Sequence, residues 1–259
     1  MSSIKHVNSG WTGQAAIALG VGAFLGQSGN NHPHHHYAHQ ITMSLNPDQA
    51  VQVIADGQRY QAPTLLIPAK LKHQLITGNY LSIYLDTHHA LTTRFNLDLH
   101  RATQVYEVST DLQQQLRQSF CLKTPLNHGL AHFLKTTPLN NHASQSNPRK
   151  IEHILELLYQ GILQSNIPDR QYLAQIAGLS ESRFSHWFRE QAGLPLRSYR
   201  KWLRLICGLA QMQEGLALTD TAHQANFADQ AHFTRTCIEL LGVRPSELSD
   251  MQGKIFFIE

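Results

Sequence analysis

The chain has 259 residues, 42% of them hydrophobic and 15% charged, which excludes a disordered protein and leaves room for two cores. Its three cysteines, Cys121, Cys207 and Cys237, are far apart and odd in number. That excludes a disulfide framework or a cysteine zinc site and suits a reducing cytoplasm. The net charge is only +3, and residues 149–259 hold twelve basic and twelve acidic side chains, so overall charge does not single out nucleic acid.

The apolar stretch Ala15 to Gly26 is too short and glycine-rich to span a bilayer and reads as one or two buried strands. No other stretch suggests a membrane span, so a membrane partner is not expected. Short apolar or alternating runs follow at Gln40–Leu45, Ala50–Ala55, Thr64–Ile67 and Tyr80–Leu85. Turn signals separate them, among them Asp56-Gly57, whose two residues suit the positive φ of a tight hairpin. This spacing predicts an antiparallel sandwich or barrel.

After about residue 108 the period lengthens. Ser109 can cap a helix carrying Leu112, Leu116 and Phe120, and a second helical patch covers Gly129–Lys135. Residues 137–148 are polar and proline-bearing, as linkers are. From Arg149 onward the pattern is helical, beginning with the single apolar face of Ile151, Ile154, Leu155, Leu158 and Ile162. The expected division is 1–107, 108–148, 149–250 and a tail at 251–259.

The helical half contains a repeat. Each copy has a short helix, a turn residue (Gly178 or Asn226), an apolar residue (Leu179 or Phe227) and a second helix ending at Gly193 or Gly242. That is the grammar of a helix-turn-helix, with asparagine standing where a left-handed residue is needed. On the second helices, Phe184 and Phe188, or Phe233 and Cys237, should face inward. Ser182, His186 and Arg189, flanked by Arg183 and Ser185, should face outward in the first copy. Ala231, Arg235 and Ile238, flanked by Thr234 and His232, do so in the second. Small residues with one longer donor suit a helix entering the major groove, and Arg183 and Arg189 suit phosphates. Between the copies, a helix from about Leu196 to Gln213 should hold both recognition helices on one side, separated by ~34 Å if they enter successive grooves. Arg183, Arg189, Arg197, Arg200, Lys201 and Arg204 form a local basic stripe, which could equally be a solvated helix face.

Residues 150–250 resemble the DNA-binding domain of the AraC/XylS family. The matches include Leu173, Ala174, Leu179, Ser180, Phe184, Phe188, Gly193, Tyr199, Arg204, Leu205, Ala222, Phe227, Asp229, Phe233, Arg235, Gly242 and Pro245. The resemblance implies DNA contacts at Ser182, Ser185 and His186, and at Gln230, Ala231 and Arg235. It departs from the family at Thr221, Asn226, Cys237 and around Ile206-Cys207-Gly208. Gly208 within the linking helix costs ~1 kcal/mol relative to alanine, so a looser second unit is expected.

His32, His34, His35, His36 and His39 crowd together, with His73 and the pair His88-His89 downstream. The pattern resembles the cupin-like sensory domains of some AraC-type regulators. In that comparison His34, His36 and His73 fall on ligand positions, Gln40 stands where a glutamate would be and Lys70 where a glycine would be. Three readings stay open: a lining for a small effector, a site for a divalent metal, or a solvated loop. The fold expected is α+β, a cupin-like barrel or sandwich followed by an all-α double helix-turn-helix domain. The function expected is a cytoplasmic, sequence-specific DNA-binding transcription regulator without enzymatic activity. Its partners would be double-stranded DNA, RNA polymerase (recruited or blocked), a small-molecule effector and a second copy in a homodimer. The alternatives are a metal-dependent cupin enzyme with a vestigial DNA-binding module, and an architectural DNA-binding protein without an effector.

Overall fold

A computed structural model describes residues 11–18, 20–29, 31–87, 92, 103–120, 124–136, 148–164, 166–213, 215–251 and 255–257. Cys121, His88-His89 and most of the predicted linker (137–147) lie outside these residues.

The amino-terminal half is built of short strands. They are β1 (Thr12–Ala18), β2 (Val21–Ser28), β3 (His39–Ser44), β4 (Val51–Ala55), β5 (Gln58–Ala62), β6 (Thr64–Ile67), β7 (His73–Leu75), β8 (Gly78–Leu85) and β9 (Tyr106–Glu107). One sheet has the order β10-β1-β2-β8-β3-β6-β9, where β10 is Ile255–Phe257 near the other end of the chain, and a smaller one has the order β5-β4-β7. The Ala15–Gly26 stretch is the β1–β2 hairpin, with Ala15 opposite Phe24. Asp56 (φ 49°) and Gly57 (φ 75°) close the β4–β5 hairpin as their sequence requires. Sequence periodicity passed over β5 because Gln58, Arg59 and Gln61 are exposed and leave no apolar run.

Alternation along the central strands sorts the two faces of the large sheet. Ile41 and Met43 of β3 and Leu81, Ile83 and Leu85 of β8 pack with Leu112, Leu116, Leu130 and Phe133. The last four belong to α1 (Thr110–Ser119) and α2 (Leu126–Thr136), which cover that face. Ser109 caps α1, accepting from the Leu112 N–H at 3.4 Å. The intervening residues Gln40, Thr42 and Ser82 turn to the other face and bond one another.

The carboxy-terminal half is helical: α3 (Pro148–Leu163), α4 (Arg170–Ala177), α5 (Glu181–Ala192), α6 (Leu196–Gln213), α7 (Leu218–Gln224) and α8 (Gln230–Leu241), then a 3-10 turn at Pro245–Met251. Within the segment read as a tail, Ile255–Phe257 forms strand β10. It pairs in parallel with β1, Ala15 opposite Ile255, and so ties the end of the helical half to the sheet. Its apolar run Ile255-Phe256-Phe257-Ile258 suits a strand in composition, but its partner lies at the far end of the chain and leaves no local signal.

The halves share apolar contacts. Tyr37, Ala38 and Tyr84 pack with Trp202, Leu205 and Leu209 of α6, and Trp11 and Phe24 pack with Val243 and Leu241. Gly208 proves to be a point of close approach. A Cβ there would stand 2.7 Å from the Phe233 ring and 3.2 Å from the Ala225 Cβ. Cys237 and Thr221 are fully buried, as is Phe233, so at these two departures from the family pattern the second unit is close-packed where the sequence suggested looseness. Gly208→Ala therefore sets a helix-propensity gain of ~1 kcal/mol against overpacking of ~1–3 kcal/mol. Urea denaturation should show a lowered midpoint; a raised one would mean that the Phe233 ring can give way.

Candidate DNA-recognition helices and buried histidine site

Both short helix pairs are closed by the same local chemistry. Gly178 (φ 67°) and Asn226 (φ 59°) take the left-handed conformation. The Leu179 N–H then bonds the Ala174 carbonyl at 2.9 Å, and the Phe227 N–H bonds the Ala222 carbonyl at 2.8 Å. Ser180 and Asp229 start α5 and α8, Asp229 accepting from the His232 N–H at 2.6 Å. Only one residue separates Gly178 from its cap, whereas Phe227 and Ala228 separate Asn226 from Asp229, so the second turn is longer by one.

The structure places the predicted contact residues as the helical projection required. Ser182, Arg183, His186 and Arg189 are exposed on α5, with Ser185 half-buried and bonded to the Glu181 carbonyl. Gln230, Ala231 and Arg235 are exposed on α8, with Thr234 half-buried. The opposite faces carry Phe184 and Phe188, and Phe233 and Cys237, all fully buried.

The basic stripe does not act as one. Lys201 is paired with Glu239 at 2.6 Å. Ser185, His186, Arg189, Arg197, Arg200 and Arg204 instead line a groove beside α5. Burial, then the neighbouring Arg204 charge, pull the Arg200 pKa below its ordinary value, and burial does the same for Arg204. An anion entering this groove would offset both costs.

The carboxy-terminal ends of both outward-facing helices are held by the amino-terminal half. Helix ends leave carbonyls without partners, and here the other half of the chain supplies donors. For α5, Lys70 Nζ donates to the Gly193 carbonyl and Thr87 Oγ1 to the Ala192 carbonyl, each at 3.1 Å. For α8, the His32 N–H donates to the Gly242 carbonyl at 2.7 Å and the His35 N–H to the Glu239 carbonyl at 3.4 Å. Between these ends, the Tyr199 hydroxyl of α6 donates to the Asp86 carboxylate at 3.1 Å. Sequence reasoning missed these anchors because it gave none of the residues a partner, not even His32 and His35 of the histidine run or Tyr199 of the family matches. Lys70 had also stood out, where the resemblance wanted glycine; it takes φ 68°.

The histidine cluster is not a solvated loop. His34, His36, His39 and His73 are buried, and among the run only His32 is exposed. Burial is the largest influence on His34, His36 and His73 and lowers each pKa, that of His34 to about 3, so all three rings are neutral. Their ligand atoms lie within 4.8 Å of one another. Gln40 joins them, its Oε1 2.8 Å from His36 Nε2. His39 stands apart, its Nδ1 accepting from the Ala69 N–H at 3.1 Å. The site forms one wall of a cavity of about 170 Å³ between the halves, lined also by Trp11, Phe24, Tyr84, Trp202 and Leu241.

Residues 173–251 match a family described as a helix-turn-helix domain. Among solved structures, the chain is similar to an apo ToxT variant from Vibrio cholerae, with a TM-score of 0.52 and 10% identity over 90% of this chain and 98% of that one. Another ToxT structure from the same organism has a TM-score of 0.49 and 12% identity, covering 94% and 98% of the two chains. A regulator with an AraC-type DNA-binding domain from Chromobacterium violaceum has a TM-score of 0.37 and 18% identity, covering 40% of this chain and 93% of its own. The first likeness shows a shared α+β fold along nearly the whole chain. No curated protein sequence matches.

Burial of Asp86 at the junction gives it a pH dependence. Burial pushes the Asp86 carboxyl up to about 6, the Tyr199 hydrogen bond offsetting part of the rise. A folded-state pKa above the ordinary carboxylate value of 3.8 means that the folded protein binds the proton more tightly. This group's contribution to stability therefore improves as pH falls from about 6 to about 4 and is least favourable above 6. Asp86→Asn should gain roughly 1–3 kcal/mol relative to the wild type at pH 7.5 and much less at pH 4.5, read by chemical denaturation. An equal effect at both pH values would refute the assignment.

Proposed function

We propose, for a chain whose residues 173–251 are an AraC-type helix-turn-helix domain and which is a DNA-binding transcription regulator, that α5 and α8 read a two-part promoter site and that the amino-terminal barrel sets their relative position. One observation carries the reading: both helices expose a face of small and basic residues while the barrel holds their far ends. Arg235 is the exposed donor suited to guanine in the major groove, and the arginine groove beside α5 suits backbone phosphates. Bound at a promoter, the protein recruits or blocks RNA polymerase.

The cavity between the halves supports regulation by a small molecule. Its walls are mainly apolar, with polar groups from Asn31, His34, His36, Gln40 and Asp86. A compact apolar effector with one polar end fits that lining and would press on both halves at once. An enzymatic reading draws only on the histidines, and Gln40 leaves it without the carboxylate ligand that the resemblance to metal cupins requires. Among the described residues no helix is long and apolar enough to cross a membrane, and work on DNA is the work of the cytoplasm in a bacterial cell.

Selection from a randomised duplex pool by the full chain, at about 150 mM salt, tests the proposal. The expected result is one enriched motif with two boxes about one helical turn apart. Arg235→Ala should cost about 1–3 kcal/mol and relax a single base position, whereas Arg189→Ala should weaken all sequences alike and flatten the salt dependence by about one unit. Retention with no enriched motif would replace this reading with an architectural one.

A further inference from the structure

Three imidazoles point into one spot from two segments. His34 and His36 turn inward along the stretch before β3, and His73 faces them from β7. The backbone fixes their distance: His34 and His73 exchange both main-chain hydrogen bonds, at 2.9 and 2.8 Å. Each Nδ1 lies against a main-chain carbonyl, His34 on His32 at 2.9 Å, His36 on Ala38 at 2.7 Å and His73 on Leu71 at 2.9 Å. A carbonyl can only accept, so each Nδ1 carries the hydrogen and each Nε2 of a neutral ring is left with a lone pair. Metal-binding histidines are oriented in this way.

One of those lone pairs has no partner: His73 Nε2 is buried without a hydrogen bond. His36 Nε2 meets Gln40 Oε1 at 2.8 Å, while the Gln40 amide nitrogen donates to Thr42 Oγ1 at 2.8 Å and faces Ser82 Oγ at 3.4 Å. In this orientation of the amide a cation between the two acceptors satisfies both; with the amide turned over, its nitrogen donates to His36 Nε2 instead. Ligands ~2.0–2.1 Å from one ion are ~2.9 Å apart at a right angle and ~3.3 Å apart at the tetrahedral angle, and this pair fits the former.

We propose that His34, His36 and His73, with the Gln40 amide oxygen, bind one divalent first-row transition ion, and that its occupancy is felt at the end of α8. Imidazole nitrogen selects zinc, cobalt, nickel or iron over magnesium or calcium, which need oxygen ligands. No anionic ligand neutralises the ion, and the partial negative charge of the α8 terminus beside His34 favours it.

The link to α8 is steric as well as hydrogen-bonded. A Cβ at Gly242 would lie 2.5 Å from both His34 Nδ1 and the His32 carbonyl, so the ring and the helix terminus are in contact. His32 and His35, on either side of His34, donate to the Gly242 and Glu239 carbonyls. Fixing the His34 ring on a metal therefore fixes the terminus of α8. That consequence for DNA rests on the reading of α8 as a recognition helix.

The test uses the full, tag-free chain, stripped with chelator and dialysed against Zn²⁺, Co²⁺ or Mg²⁺, with bound metal counted by mass spectrometry. One Zn²⁺ or Co²⁺ per chain and no Mg²⁺ are expected, with a visible Co²⁺ spectrum reporting nitrogen ligation. His73→Ala should weaken binding about tenfold or more. Because that variant could misfold, Gln40→Glu provides the opposite sign: a carboxylate in the same place should tighten binding. Substoichiometric metal in the wild type, or uptake insensitive to both substitutions, would overturn the site. Hydrogen exchange of residues 239–242 should slow on Zn²⁺ binding; full occupancy with unchanged exchange there would overturn the coupling. Failure of the DNA selection would remove the role of α8 and leave the metal counts unaffected.

Discussion

The segment from Asn31 to His36 belongs to two structures at once, and the arrangement of the molecule depends on it. One of its edges is bonded to the small sheet, through Asn31 to Leu75 and through the His34–His73 pair. The other is bonded to the end of α8. An extended segment with main-chain donors on both sides, helped at one end by the Asn31 side chain, can join a sheet and a helix terminus, since both offer free main-chain groups there. Its side chains are then free for other work, and alternation sends His34 and His36 inward.

The two helix-turn-helix units repeat each other in chemistry more closely than in sequence. Gly178 and Asn226 differ in type but share a left-handed conformation, and Ser180 and Asp229 share a capping role. The extra residue in the second turn leaves the buried face of α8 intact, because Phe233, Cys237 and Leu240 keep helical spacing against α6. The glycine at 208 belongs to the same contact. Its cost in helix propensity is the counterpart of the space it leaves for the Phe233 ring.

The junction between the halves is mixed in character. Apolar packing by Trp11, Phe24 and Tyr84 supplies area, while a few hydrogen bonds from Lys70, Thr87, His32, His35 and Tyr199 set register. An interface of this kind can open or shift when a ligand changes one of its members, because no single contact dominates it. The buried histidines and the cavity lie within it, so binding at either is placed to alter how α5 and α8 are held.

The helical half was largely legible in the sequence because its signals are local. Periodicity places Phe184, Phe188 and Phe233 in the core, capping residues mark the starts of α5 and α8, and a glycine and an asparagine mark the turns. Strand positions were legible for the same reason, except β5, β7, β9 and β10, which are polar, very short or paired with a distant partner. The sequence also nominated His34, His36, His73 and Gln40, but it left an effector lining, a metal site and a solvated loop all open. Only the tertiary structure decided that the histidines are buried and converge, since that depends on a backbone pairing between residues 34 and 73. Likewise only the tertiary structure decided that the amino-terminal half holds the ends of both outward-facing helices, because a hydrogen bond between Lys70 and Gly193 leaves no mark in the residues around either one.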